Sequence, residues 1–210
     1  CAIYMKYMGC CISKFFLREG CRMTETAFEQ QVSTLVNKGY PRVAGMSDSQ
    51  FSKELGVMRD RFVPGDFIVI PENMVPLREQ ISLLKLNGKD ACGLNPDEFR
   101  TVVWTPHVPY LLSYTRYNNT AMRKLSSGDI PLMIKMARWF TGMRAKLTLH
   151  EGVAIVTHDP TIIKNSCFSL DGSVRDSCGV ATISQVSQDG HHNGGLRLGC
   201  YYYGSSQASS

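Results

Sequence analysis

No stretch of this 210-residue chain approaches the roughly 18 uninterrupted apolar residues a transmembrane helix needs, so no membrane span is expected. Neither the spaced glycines of a dinucleotide fingerprint nor a Gly-Lys-Ser/Thr phosphate loop occurs, which removes the commonest nucleotide-binding readings. His150-Glu151 opens as a zinc-protease helix would, but Ala154 stands where the second histidine belongs. The serine-hydrolase nucleophile elbow is missing too. Beyond residue 22 the only cysteines are Cys92, Cys167, Cys178 and Cys200, too few and too scattered for a disulfide framework in a chain of this length. That usage fits a reducing cytoplasm, and a soluble cytoplasmic protein is expected.

What is present is ordinary for one packed core: 43% hydrophobic and 20% charged residues. The formal charge of +5 is modest and uneven, because Lys6, Lys14, Arg18 and Arg22 face only Glu19 in the first 22 residues. Those residues also hold Cys1, Cys10, Cys11 and Cys21, and Met23 follows. Residues 1–22 read as an extension outside the core, upstream of a native start at Met23. Neither a signal peptide nor an interfacial anchor fits as well, since Lys14 and Arg18 bracket the apolar Phe15-Phe16-Leu17. Residues 23–204 are expected to form a single globular domain and 205–210 a disordered tail.

The strongest local signal is Thr148 with Glu151, a capping box in which a hydroxyl accepts a free backbone N–H and a carboxylate reaches back. It predicts a helix with Val153, Ala154 and Val156 on its buried side, stopped by Asp159-Pro160. Thr26 with Glu29 and Ser47 with Gln50 repeat the device ahead of Phe28, Val32, Leu35 and of Phe51, Leu55, Met58, predicting two further helices. Phe67–Ile70 reads as a buried strand, and Ile81–Leu86 and Tyr110–Thr115 as two more. Pro131–Phe140 reads as helix. Cys167–Leu170 and Gly179–Ile183 are expected to form a hairpin turning at Asp171-Gly172, and Leu196–Tyr203 a last strand. The fold class is therefore α+β, a mixed, largely antiparallel sheet of at least five strands packed with several helices.

The stretch LTLHEGVAIVTHDPTIIKNSCFSLDGS at 147–173, with TAFEQQVSTLVNKGYPRVAGMS at 26–47, GDFIVIPENMVPLREQISLLKLNGK at 65–89 and VPYLLSYTR at 108–116, resembles an uncharacterised bacterial family found mainly in actinobacteria. The resemblance implies a shared bacterial cytoplasmic domain and nothing about chemistry. It departs in the tail, where Leu198-Gly199-Cys200-Tyr201-Tyr202 replaces a tryptophan-rich motif followed by a histidine.

Polar groups gather between 158 and 176. His158 ends a helix, Lys164-Asn165 precedes Cys167, and Arg175-Asp176 lies in the hairpin connection. His158, Cys167, Arg175 and Asp176 are the catalytic candidates, because thiolate or acid–base chemistry needs a histidine beside a cysteine or carboxylate. His158, Lys164, Asn165 and Arg175 are the ligand-binding candidates. No cofactor is expected and no metal ligands are assigned. Zinc is the one metal weighed, and it ranks low: His150 and His158, eight helical positions apart, are separated by about 12 Å and cannot share an ion held at about 2 Å. Residue by residue, structural roles suffice: capping for Glu151 and His158, solvation for Lys164 and Arg175, core packing for Cys167. The basic group Arg138, Arg144 and Lys146 lacks a reading motif, so nucleic-acid binding is unfavoured. The reading that results is a small-ligand-binding or accessory protein, ahead of a hydrolase using a His/Cys/Asp cleft or zinc, and of a weak nucleic-acid binder.

Overall fold

The computed structural model describes residues 26–85, 88–90, 92–93, 95–115, 120–125, 146–163, 168–175, 179–185 and 196–202. Three helices come first: α1 over 26–38, α2 (Tyr40–Val43) and α3 (Asp48–Gly56). Gly39, at φ 90°, takes the left-handed conformation that lets α1 stop and α2 start at once. Ser47 and Gln50 form the expected capping box of α3. Then follow β1 (Asp66–Val69), α4 (Leu77–Leu83), β2 (Cys92–Gly93), β3 (Phe99–Thr101), β4 (Tyr110–Thr115), β5 (Thr120–Leu125), α5 (Leu149–His158), β6 (Phe168–Arg175), β7 (Gly179–Gln185) and β8 (Leu196–Tyr202).

The strands make two sheets, an antiparallel one in the order β1-β4-β5 and a five-stranded one in the order β2-β8-β7-β6-β3. In the larger sheet only the β2–β8 pair is parallel. The fold is thus α+β with helices against a largely antiparallel five-stranded sheet, as the sequence predicts.

Successive residues of a strand face opposite ways, and β1 and β4 use both faces. Ile68 and Leu111 turn to Phe28, Leu35, Phe51 and Leu55 of the first helices. Val69, Tyr110 and Leu112 turn instead to a second cluster containing Val153, Ile155 and Val156 of α5 with Leu170, Ile183 and Leu198 of the large sheet. The order through the molecule is helices, small sheet, α5, large sheet. Because α5 lies between two sheets, every residue from Leu149 to Thr157 is buried, not the single side that its periodicity predicts. Gly152 makes the close approach possible: a Cβ there would lie 2.6 Å from Leu170 Cδ2 and 3.2 Å from Ile183 Cδ1.

Two local expectations are corrected. Ile81–Leu86 is not a strand; Leu77–Leu83 is helical, starting after Pro76. Leu77, Ile81 and Leu84 recur at the i, i+4, i+7 spacing of a helix, and that period outweighs the β-branched Ile81. Asp171-Gly172 is not a turn but lies within β6, where the register against β7 shifts between Leu170 and Val174. There Gly172 N–H donates to Leu147 O at 2.7 Å and Gly172 O accepts from Val102 at 2.9 Å. A Cβ at Gly172 would lie 2.7 Å from Leu147 O, so the glycine serves a bulge between crowded strands. β6 and β7 pair antiparallel and the last strand forms, as expected. The helix expected over 131–140 lies outside the described residues.

Candidate functional site

Glu151 sits at the third position of α5 and is fully buried. Its carboxylate accepts from Arg123 Nε at 2.5 Å and Arg123 Nη2 at 2.7 Å, from Tyr110 Oη at 2.9 Å, and from Thr148 N–H at 2.9 Å. Thr148 Oγ1 closes the box by accepting from Glu151 N–H at 3.1 Å. Burial first, and the neighbouring carboxylate second, push the Tyr110 phenol well above its ordinary pKa, so it stays a donor. With every lone pair of the carboxylate engaged, this is a closed ion pair that ties β4 and β5 to the start of α5. It leaves no coordination for a substrate.

The two histidines of α5 are engaged in a different way. The edge of β1 that β4 does not use would expose its backbone groups, and four side chains complete it. Gln31 accepts from Ile68 N–H at 2.8 Å and donates to Asp66 O at 2.6 Å. His158 Nε2 donates to Ile68 O at 2.9 Å, His150 Nε2 donates to Ile70 O, and Gln80 Nε2 reaches Ile70 O at 3.0 Å. Donation from Nε2 fixes the neutral tautomer of both rings. Burial pushes His158 down to about 4, against a smaller rise from the Ile68 carbonyl, with nearby Lys38 lowering it further. Burial lowers His150 as well, partly offset by Glu72. His158 Nδ1 is buried without a hydrogen-bond partner, and its ring stacks 6.4 Å from Phe67.

Of the other residues named from the sequence, Arg175 pairs with Glu98 across the β6–β3 register at 2.7 Å. Lys164, Asn165, Cys167 and Asp176 lie outside the described residues. Among the described residues no three His, Cys, Asp or Glu groups are placed to hold one metal ion.

A concavity of about 380 Å³ lies elsewhere, between α4 and the β3 end of the large sheet. Leu77, Phe99 and Leu149 give it an apolar floor, while Glu72, Thr101 and Ser173 line it with polar groups. Ser173 Oγ accepts the first N–H of α5, from Leu149, at 2.8 Å. Arg78 and Asp97, also at its wall, bind one another, and Arg78 further reaches Asn95 Oδ1 at 3.3 Å. Glu72 has no ion-pair partner among the described residues, which leaves the groove one carboxylate in excess. None of these residues stands out in the sequence: Asn95-Pro96 reads as a turn, and Glu72 meets Thr101 and Ser173 only once α4 is laid beside β3.

The family model described as a family of unknown function, DUF5701, matches residues 34–199. No curated protein and no solved structure matches the chain.

Proposed function

The chain belongs to this family of unknown function, and we propose that it is a noncatalytic ligand-binding domain, cytoplasmic in setting, whose site is the groove between α4 and β3. The observation that carries the reading is a carboxylate, Glu72, with no ion-pair partner among the described residues, at the wall of an apolar-floored concavity of about 380 Å³. Ligand sites commonly combine an apolar body with a few convergent polar groups. That carboxylate favours a ligand that presents a cationic amine beside apolar groups for Leu77, Phe99 and Leu149. Catalysis is not needed to explain the polar centres, since Glu151 is saturated by its own fold and both α5 histidines complete a strand edge.

Benzylamine carries both features and serves as the probe. Titration into labelled protein is expected to move the amide resonances of Leu77, Thr101 and Ser173 in a saturable way. Glu72→Gln is expected to weaken it about tenfold, the loss of one charge-assisted contact. Shifts that appear instead around residues 158–163, or no saturable shift at all, sink the assignment of the site.

A further inference from the structure

We infer that the natural occupant of this groove is an extended peptide segment bearing a lysine, added as a strand to the open edge of β3; the inference rests on the groove being a binding site. β3 ends the five-stranded sheet, with β6 on one side and no strand on the other among the described residues. Val102 N–H bonds to Gly172 O at 2.9 Å, while Thr101 stands opposite Ser173 in register. In an antiparallel pair the bonded positions alternate, so the backbone N–H and C=O of Thr101 turn away from β6 to the open side. Thr101 and Phe99, which share one face of the strand, are both among the residues that line the groove. Backbone groups able to extend the sheet and side-chain subsites for the residues of an added strand therefore lie on one strand. Recognition of peptides by strand addition uses that combination: main-chain bonds for affinity, pockets at alternate positions for selectivity.

Two further features choose the occupant. Glu72, a carboxylate in the groove without an ion-pair partner among the described residues, calls for a basic side chain. Beyond Thr101 the apolar surface continues, with Val102 48% and Trp104 44% exposed, which suits apolar residues flanking that lysine. β3 itself spans only Phe99–Thr101, so the added strand is short and the contact exchanges readily.

The test uses the full chain and the capped peptide acetyl-Thr-Val-Lys-Val-Thr-amide, compared with the same peptide N-methylated at alternate amides, with its lysine replaced by norleucine, and with benzylamine. The expected result is slowed hydrogen exchange at the Thr101 amide with the parent peptide and not with benzylamine, and affinity about tenfold lower for the methylated form, as removal of main-chain bonds dictates. The norleucine peptide and Glu72→Gln are each expected to lose a similar factor and not to add. If benzylamine binds the groove while the peptide binds no better and methylation is neutral, strand addition is overturned and the small-ligand reading stands. If neither probe moves groove resonances, both readings fall. Self-association of the chain through the Thr101 edge that the peptide does not reverse also overturns the proposal, in favour of a second copy as the occupant.

Discussion

At the scale of single residues, Arg123 and Gly152 carry the sharpest consequences. Arg123 is the cation of a pair whose carboxylate is wholly out of water, with side-chain exposures of 10% for Arg123 and 0% for Glu151. Arg123→Met is expected to cost about 3–5 kcal/mol, because a buried charge without its partner is far more costly than the pair is favourable. The double variant with Glu151→Gln is expected to recover part of that loss, and denaturant midpoints of the three variants measure it. Gly152→Ala runs against ordinary helix propensity, which favours alanine by about 1 kcal/mol. Here the new Cβ would meet Leu170 at 2.6 Å between close-packed layers, and overpacking of that kind costs about 1–3 kcal/mol. A net loss of stability is expected in thermal melts, and a rise would mean that α5 can lift from β6.

At the scale of elements, α5 meets β1 through its histidines, and acid bears on that contact. His158 titrates near 4 when folded and near 6.5 when unfolded, so only the unfolded chain takes up its proton between those values. The stability this residue protects is complete above about pH 6.5, falls as the pH drops towards 4, and is of the order of 3 kcal/mol at the lower end. The depressed pKa of His150 acts in the same direction. Urea midpoints from pH 7 to pH 4 are expected to decline, and His158→Gln, which can still donate to Ile68 O, to flatten part of the slope. An unchanged slope in that variant would move the acid sensitivity to other groups. Elements are also where the sequence is most legible and where it misleads. Capping boxes at Ser47 and Thr148 were readable because their partners lie three residues apart, and the β4, β7 and β8 spans because apolar runs are local. The helical identity of Leu77–Leu83 was hidden by three apolar residues in close succession, and the Gly172 bulge by an Asp-Gly pair that more often turns a hairpin. The groove was illegible, since Glu72, Thr101 and Ser173 are joined by no local pattern. His158 reads as chemistry in the sequence because its partner, a carbonyl ninety residues earlier, leaves no trace there.

At the scale of the whole molecule, the expectation that residues 1–22 stand apart from the core becomes a prediction. A chain beginning at Met23 is expected to melt cooperatively at an unchanged midpoint by circular dichroism, and loss of the transition would assign those residues to the folded unit. The layered arrangement also imposes an order on synthesis. Translation delivers the early helices, β1 and β4 before α5, and the face formed by Val69, Tyr110 and Leu112 waits for a helix that ends at His158 and for the β6–β8 strands behind it. At about 5–20 residues per second this leaves an oily surface and a bare strand edge in water for seconds on the ribosome. A ribosome paused between residues 125 and 149 therefore holds a chain whose greatest hazard is another chain in the same state, and that face of β1 and β4 is offered to chaperones by the nascent protein before α5 covers it.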